Sequence, residues 1–228
     1  GGRRVFLPRE AGALSKALSA AGLEVTTFPV QAPVMLVDGL DLGQADWSVV
    51  TSARTVEALQ GLGVRLPGRI AAVGKATAAA LEAAGYAVDL VPGKASAAGL
   101  VEEFPVGAGR VVIPGSALSK PDLPEGLREL GWRVEVFPVY TMEATQEPAE
   151  LAARWRAGEF AAVVVTAGSV ARVIDERLGW PKETRVLAIG QPTAKVLNEL
   201  GVAASVSPSP EAEAVARAAA ELVGKGNA

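Results

Sequence analysis

The stretch Phe137-Pro138-Val139-Tyr140-Thr141-Met142 decides the fold, because a shorter copy, Phe28-Pro29-Val30-Gln31, stands near the start of the chain. In both copies Phe-Pro-Val closes a β-like run, and the residue pattern changes directly after it. A proline in such a run is typical of an edge strand or a connector, since proline cannot donate a hydrogen bond to a neighbouring strand. We interpret residues 28–34 and 137–142 as a two-stranded β connector between two lobes, with the phenol of Tyr140 at the junction.

The chain repeats itself around these two copies. Strand and helix patterns alternate from Arg4 to Phe104 and restart in the same order at Arg110. Arg4 and Arg110 are 106 residues apart, and Gly74 and Gly190 are 116 apart, so two short insertions explain the drift. Chance self-similarity of an α/β chain is the alternative. The shared order of Phe-Pro-Val, Val-Val-Thr and Gly-x-x-Thr-Ala favours an internal duplication.

The alternation of strands and helices with short loops predicts parallel sheets flanked by helices. The fold class is therefore α/β, with two Rossmann-like or flavodoxin-like lobes. The pattern leaves the connectivity open. Each copy can form its own lobe, or the lobes can exchange their first strand–helix–strand pieces across the connector.

Composition excludes several kinds of chemistry. The 228 residues include no cysteine and no histidine, so thiol catalysis, iron–sulfur clusters and a histidine base are excluded, and metal-ligand spacing is absent. The net charge of −3, from 22 basic and 25 acidic residues, argues against nucleic acid as a partner. No apolar run approaches the roughly 18 residues of a membrane span, and no signal peptide is visible. We expect a cytoplasmic monomer with no membrane partner.

Hydroxyls and glycines follow the predicted strands at one junction after another. In open parallel sheets, ligands bind beyond the carboxyl ends of the strands, where helix N-termini attract anions by about 0.3–1 kcal/mol each. A single such hydroxyl is typical of a plain helix cap, so the recurrence carries the prediction of a polyanion site. A nucleoside triphosphate loop is rejected, because Gly74-Lys75-Ala76-Thr77 lacks the earlier glycine and the adjacent Lys-Thr pair. The candidate binding residues are Arg9, Ser52, Arg54, Lys75, Thr77, Ser116, Thr166, Ser169 and Thr193.

Together these residues resemble the uroporphyrinogen-III synthase family. The matching segments cover nearly the whole chain in the family's order: Leu7–Glu10, Val50–Leu59, Ala72–Ala78, Val139–Thr141, Val165–Val170 and Ala188–Ala194. The resemblance implies the exchanged connectivity, with residues 3–30 and 143–228 in one lobe and residues 35–136 in the other. This chain departs from the family at Gly115, where relatives often carry an arginine. A contact with a substrate carboxylate is either lost there or supplied by Ser116 and Lys120.

The resemblance also implies a reaction. Members of the family are cyclising hydro-lyases that convert hydroxymethylbilane, a linear tetrapyrrole with eight carboxylates, into uroporphyrinogen III with inversion of ring D. They use no metal or organic cofactor. The expected partners are therefore this polycarboxylate and, in transient contact, hydroxymethylbilane synthase. Because the substrate closes by itself without inversion, the protein would act mainly by orienting the chain.

Tyr140 matches the connector tyrosine of the family. The resemblance implies that it acts as a general acid near the departing hydroxyl, since a phenol with a pKa near about 10 stays protonated. Packing of its ring in the hinge is the alternative.

Two other functions fit parts of the sequence. One is a two-lobed protein that closes on an anion without chemistry, although such proteins usually carry a signal peptide. The other is a catalytically inactive relative that serves as a regulatory module, against which Tyr140 and the intact threonine junctions argue. The resemblance implies instead a cofactor-independent enzyme of haem, sirohaem or cobalamin biosynthesis.

Overall fold

The computed structural model describes residues 2–225 and divides the chain into two compact units. Unit 1 contains the chain up to Ala32 and from Glu143 onward, and unit 2 contains Pro33–Met142. The chain thus passes between the units twice, after Ala32 and after Met142.

Strands and helices alternate in both copies of the repeat. The elements of the first copy are β1 (Arg4–Leu7), α1 (Ala13–Ala20), β2 (Glu24–Thr27), β3 (Gln31–Met35), β4 (Trp47–Val50), α2 (Ala53–Leu62), β5 (Arg69–Ala72), α3 (Lys75–Ala83) and α4 (Ala97–Glu103). Those of the second copy are β6 (Arg110–Ser116), α5 (Asp122–Glu129), β7 (Arg133–Ala144), α6 (Ala149–Arg156), β8 (Ala162–Val165), α7 (Gly168–Arg177), β9 (Arg185–Ala188), α8 (Gln191–Glu199), β10 (Ser205–Val206) and α9 (Ala212–Lys225). The corresponding helices α2 and α7 have ten residues each, and α3 and α8 have nine each.

The two copies exchange their opening pieces. The strand order is β10-β9-β8-β1-β2 in unit 1 and β3-β7-β6-β4-β5 in unit 2. The neighbours in unit 1 pair in parallel, as do β7, β6, β4 and β5 in unit 2. Strands β1 and β2 of the first copy therefore extend the sheet of the second copy, and β6 and β7 extend the sheet of the first. The predicted α/β class with two parallel sheets is confirmed.

Each sheet has an apolar layer on both faces, as the continuous apolar strands require. Successive side chains of a strand point to opposite faces. In β8, Val163 and Val165 pack in one cluster with Trp155, while Ala162 and Val164 pack in the other. No helix within residues 2–225 is long and apolar enough to cross a membrane.

The two Phe-Pro-Val copies differ in their strand positions. Strand β2 ends at Thr27 and lies at the edge of its sheet, so Phe28–Val30 interrupts the β structure before β3. Strand β7 instead continues through Pro138 and lies between β3 and β6. The sequence predicts an edge strand or a connector: β2 lies at an edge and ends before Pro29, while β7 is an inner strand that continues past Met142 from unit 2 into unit 1 and so is a connector.

A β-bulge accommodates Pro138 inside the sheet. Gly115 of β6 is opposite Pro138, whereas the next residue, Ser116, is opposite Tyr140, so Val139 is the extra residue of β7. The carbonyl of Val139 accepts a hydrogen bond from Leu36 N at 2.9 Å, and that of Tyr140 accepts one from Ala117 N at 2.8 Å. Bulges of this kind interrupt a ladder locally and re-aim the neighbouring side chains.

The sequence pattern also indicates a strand at Val88–Val91, which the structure reduces to a single bridge between Leu90 and Ala71. The physical reason is a side chain that takes part in the backbone pairing. The carboxylate of Asp89 accepts the amide hydrogen bond of Ile70 at 2.8 Å, while Asp89 N donates to Ile70 O at 2.8 Å.

Candidate functional site

In unit 2, the parallel strands β4, β5 and β6 direct their carboxyl ends to the same edge of the sheet. Two of the predicted hydroxyls at this edge also cap local backbone. Ser52 is the N-cap of α2 and accepts a hydrogen bond from Arg54 N at 3.2 Å. Ser116, at the end of β6, accepts one from Leu118 N at 3.1 Å. Ser52 therefore has the helix-cap role that a lone hydroxyl suggests, whereas Ser116 accepts from the loop that follows β6 and caps no helix.

The junction after β5 carries two further candidates on α3. Gly74 is the N-cap of this helix and has φ of 98°, a left-handed conformation that glycine adopts without strain. Lys75 follows as an exposed residue, whereas Thr77 is buried in the same first turn. Arg54 is half-buried in the first turn of α2.

A cavity of about 490 Å³ opens at this edge of unit 2. Its volume lies within the roughly 300–1,000 Å³ typical of small-molecule sites. Most of its walls are apolar side chains of β6, β7 and α5. Its polar lining residues are Thr51, Ser116, Ser119, Lys120 and Asp122. Of the predicted binding residues in unit 2, Ser116 lines this cavity, and Ser52, Arg54, Lys75 and Thr77 do not.

Tyr140 lies inside unit 2 with only 2% of its surface exposed. Its ring packs with Val50 and Val56 in the core, and its hydroxyl oxygen is 3.3 Å from Oγ1 of the fully buried Thr55, so that either group can donate. A Cβ added at Gly115, which lines the cavity, would lie 3.8 Å from the same Thr55 oxygen. The Tyr140–Thr55 hydroxyl pair therefore lies directly behind the cavity wall.

Sequence reasoning missed Thr55 and Ser119. The run from Thr51 to Thr55 places three hydroxyls at one junction, but only burial identifies Thr55 as the inward one. Ser119 follows β6 in an exposed loop, and its approach to Gly115 depends on how that loop turns back. Neither the burial of Thr55 nor the path of the loop that carries Ser119 can be predicted from the local sequence.

Unit 1 has its own carboxyl edge, formed by parallel strands. Arg9 is exposed just beyond β1, and Thr166 is half-buried just beyond β8. Thr193 is buried in the first turn of α8, which follows β9. The structure therefore places the predicted residues of unit 1 on neighbouring strand ends of one sheet.

Ser169, the remaining candidate, lies in the first turn of α7 and forms a hydrogen bond with the first connector copy. Its Oγ accepts from Nε2 of Gln31 at 2.9 Å. Gln31 holds the same place in its copy as Tyr140 does in the second, and Tyr140 contacts Thr55 in the first turn of α2. In both units the fourth connector residue thus contacts the first turn of a helix at the carboxyl edge.

The pKa of Glu147 is lowered, and the ion pair of Glu147 and Arg177 lies at the opposite end of α7 from Ser169. Arg177, the last residue of α7, contacts the carboxylate of Glu147 at 3.1 Å. The hydrogen bond from its own backbone amide, followed by the hydrogen bond and charge of Arg177, holds the pKa of Glu147 below its ordinary value against the opposite effect of burial. Among the described residues, no three Asp, Glu, His or Cys side chains form a group that could hold a metal ion.

The fold and these sites define a two-unit α/β protein with polar helix starts at the carboxyl edge of each sheet. Comparison with known proteins supplies the family. Residues 12–217 match the profile of the family described as uroporphyrinogen-III synthase HemD. The chain belongs to the uroporphyrinogen-III synthase family.

Individual relatives agree with this placement. A protein of Archaeoglobus fulgidus, proposed to be a uroporphyrinogen-III synthase, is 30% identical over 180 residues, which cover 75% of this chain and 77% of the relative. The uroporphyrinogen-III synthetase of Helicobacter pylori 26695 has a similar structure, with a TM-score of 0.72 and 16% identity over 96% of this chain and 99% of that one. For a mutant uroporphyrinogen III synthase of Thermus thermophilus, the TM-score is 0.62 at 22% identity, over 97% of this chain and 99% of that one. The two structures support the fold, while the family rests on the sequence matches.

Proposed function

We propose that this chain catalyses the dehydrative cyclisation of hydroxymethylbilane to uroporphyrinogen III, with inversion of ring D. The match of residues 12–217 to the family carries the proposal. In the first step the carbon–oxygen bond of the ring A hydroxymethyl group breaks, and the hydroxyl leaves as water with a proton, which makes ring A an azafulvene. Ring D then attacks to give a spiro intermediate, whose fragmentation and reclosure yield the inverted ring. One water is lost overall, and no oxidant or reductant is required.

The cavity of unit 2 suits one end of such a substrate. Its apolar walls match the faces of a pyrrole ring, and burial of such a ring is favourable by about 25 cal/mol per Å² of apolar surface. Lys120 provides a positive charge among its lining residues, and the hydroxyls of Ser116 and Ser119 lie nearby in the same lining. These groups can bind the carboxylate arms of a ring whose faces are held by the walls.

The predicted binding residues outside the cavity would bind the other carboxylates of hydroxymethylbilane. Helix starts at the carboxyl edges contribute about 0.3–1 kcal/mol each to the binding of an anion, so that several are needed for one polyanion. The proposed contacts are those of Arg9, Ser52, Arg54, Lys75, Thr77, Thr166, Ser169 and Thr193.

Tyr140 is the proposed general acid for departure of the hydroxyl. The position of its hydroxyl supports this role, because that hydroxyl forms a pair with Thr55 behind the wall at Gly115. A proton could reach that wall through the Thr55 hydroxyl. Because Tyr140 is buried, the competing role is packing and positioning of β7, and the two roles differ in their effect on turnover.

The product isomer tests the proposed function. Hydroxymethylbilane is generated enzymatically and mixed with the protein, and the products are oxidised to porphyrins and separated by chromatography. The expected product is the type III isomer, whereas heat-denatured protein should give only the type I isomer of spontaneous closure. Type I alone with native protein would contradict the proposal, and tight binding of hydroxymethylbilane without type III would indicate a binding protein instead.

A further inference from the structure

The loop that leads from β6 to α5 is longer than its counterpart in unit 1, which leads from β1 to α1. The corresponding prolines Pro8 and Pro114 are 106 residues apart, as are the first residues of β1 and β6. The first residues of the two helices, Ala13 and Asp122, are 109 residues apart. Both helices have eight residues and bury a leucine at their second position. Unit 2 therefore carries three inserted residues between Pro114 and α5.

The longer loop and the start of α5 bring two opposite charges to the cavity of unit 2. Lys120 of this loop lines the cavity, and so does Asp122. In unit 1 the place of Asp122 is taken by the uncharged Ala13. Within residues 2–225, the side chains of Lys120 and Asp122 form no salt bridge with each other or with any other residue. Both charges are therefore available to a ligand.

The position of Asp122 in a helix does not by itself account for its place in the cavity. A carboxylate in the first turn of a helix is attracted by the helix dipole, by about 0.3–1 kcal/mol. Glu125 lies in the same first turn and supplies the same kind of interaction. Among the described residues that line the cavity, however, Asp122 is the one carboxylate. Asp122 is thus placed to act on a ligand, and Glu125 is not.

The chemistry of a pyrrole ring decides what Asp122 can bind. Such a ring has one polar donor, its N–H, which lies on the edge opposite to the two carbons that carry the acetate and propionate arms. A carboxylate accepts a hydrogen bond from this donor and repels the carboxylate arms, whereas the ammonium group of Lys120 has the reverse preference. The two charges therefore bind different edges of one ring.

We propose that Asp122 is a specificity-determining residue, whose carboxylate accepts a hydrogen bond from the N–H of a pyrrole ring held in the cavity of unit 2. This inference rests on the proposed function for the identity of the ring. The faces of the ring lie against apolar walls, which include Ile113, Leu123 and Val136. Lys120 binds a carboxylate arm. Because Asp122 repels the arms, the ring enters with its N–H edge toward this residue.

Two small ligands that differ in one donor test the inference. One is a monopyrrole with acetate and propionate arms, and the other is the thiophene with the same arms, in which sulfur replaces the N–H. Each is titrated into the native protein and into Asp122→Ala, and Kd is measured from the amide chemical shifts of Ser119 and Leu123 by NMR. The native protein should bind the pyrrole about tenfold more tightly or better, as is typical of a hydrogen bond to a charged group. Asp122→Ala should bind both ligands equally.

Glu125→Ala is the matched control, since it removes the other carboxylate from the first turn of α5. Asp122 and Glu125 are both exposed, so both variants should keep the fold and lose similar stability. The control should retain the preference for the pyrrole. A native protein without saturable shifts or without this preference, or a preference that survives in Asp122→Ala, would overturn the role of Asp122.

The isomer assay distinguishes a failure of this inference from a failure of the proposed function. If the native protein prefers the pyrrole through Asp122 but forms no type III isomer, the ring site stands and the proposed function fails. If it forms the type III isomer but binds pyrrole and thiophene equally, the proposed function stands and the role of Asp122 is refuted.

Discussion

The two connector copies begin with the same three residues and fold differently. In unit 1 the first proline follows the end of the edge strand β2, and β structure resumes only at Gln31. In unit 2 the second proline lies within β7, which has neighbours on both sides and absorbs the proline with a bulge. Duplication has therefore preserved strand order while the local pairing diverged.

The fourth residue of each copy shows the same divergence at the level of side chains. Gln31 donates to Ser169, and both groups are half-buried. Tyr140 pairs with Thr55, and both are almost completely buried. The contact with a helix start is common to both units, but only unit 2 combines it with a phenol and with the wall of the cavity at Gly115. The comparison favours unit 2 for the proposed chemistry.

The largest expected effect is that of Tyr140→Phe on turnover. General acid catalysis by a positioned side chain typically contributes about 10²–10⁴-fold, so kcat for type III formation should fall by about 10²-fold or more. Loss of the hydrogen bond to Thr55 should lower the free energy of unfolding by only about 1 kcal/mol. Quenched-flow kinetics measure kcat, and denaturant unfolding measures the free energy of unfolding.

Two control variants sharpen this prediction. Tyr86→Phe removes the other tyrosine hydroxyl of the chain, which accepts a hydrogen bond from Leu66 N at 3.1 Å in the same unit. Gln31→Leu removes the corresponding connector contact of unit 1. Both should lower stability about as much as Tyr140→Phe and reduce turnover far less. If kcat is the same for all three variants, Tyr140 is a packing residue. The difference between Gln31 and Tyr140 in the two connector copies then has no role in catalysis.

A smaller effect, on stability, is expected from Gly168→Ala in α7. Its counterpart in α2 is Ala53, since both residues begin ten-residue helices. A Cβ at Gly168 would lie 2.6 Å from Cγ2 of Val196 on the neighbouring α8, and such overpacking costs about 1–3 kcal/mol. Hydrogen exchange followed by mass spectrometry should show lost protection in unit 1 peptides and unchanged protection in unit 2.

The reverse exchange in unit 2 is the control for that prediction. Ala53→Gly removes a methyl group without creating a clash and should cost at most about 0.5–1 kcal/mol, with the loss of protection confined to unit 2. Equal losses of stability from Gly168→Ala and Ala53→Gly would contradict the prediction. They would mean that the close packing of α7 against α8 at Gly168 does not make the added methyl group costly.

The smallest expected effect concerns the ends of the same two helices. Helix α7 ends at Arg177, which pairs with Glu147, whereas α2 ends at Leu62. Because the pKa of Glu147 is lowered in the folded chain, its charge stabilises the fold above the ordinary glutamate value of about 4.3. This contribution is lost as the pH falls through the lower pKa of the folded state.

The substitution Glu147→Gln should therefore cost about 1 kcal/mol at pH 7, since the pair is partly buried. The difference from the native chain should shrink below about pH 4. Urea unfolding at a series of pH values measures both. A difference that stays constant down to about pH 2 would show that the charge of Glu147 contributes nothing.

Local sequence predicts those parts of the molecule that local physics fixes. Glycines at helix ends, such as Gly22 and Gly131 with φ of 87° and 105°, mark where α1 and α5 stop. Hydroxyls after apolar runs mark the helix starts. For this reason the order of strands and helices, and the presence of polar residues at the strand ends, could be read from the sequence.

The remaining features depend on packing between distant residues. The inner position of β7 requires β3 and β6 as neighbours, and the bulge that tolerates Pro138 becomes visible only in the register of that pairing. Thr55 and Tyr140 are 85 residues apart in the sequence. The local sequence around either residue therefore predicts neither their contact nor the burial of the phenol. The exchange of the first strand–helix–strand pieces between the lobes was predicted by the family resemblance. The periodicity of the sequence left this connectivity open.

The most direct measurement is the isomer composition of the product at protein concentrations far below that of hydroxymethylbilane. If the protein catalyses the proposed reaction, an amount of protein far below that of the substrate should convert the substrate mainly to the type III isomer. The type I fraction should decrease as more protein is added. A product that remains type I at every protein concentration would contradict the account.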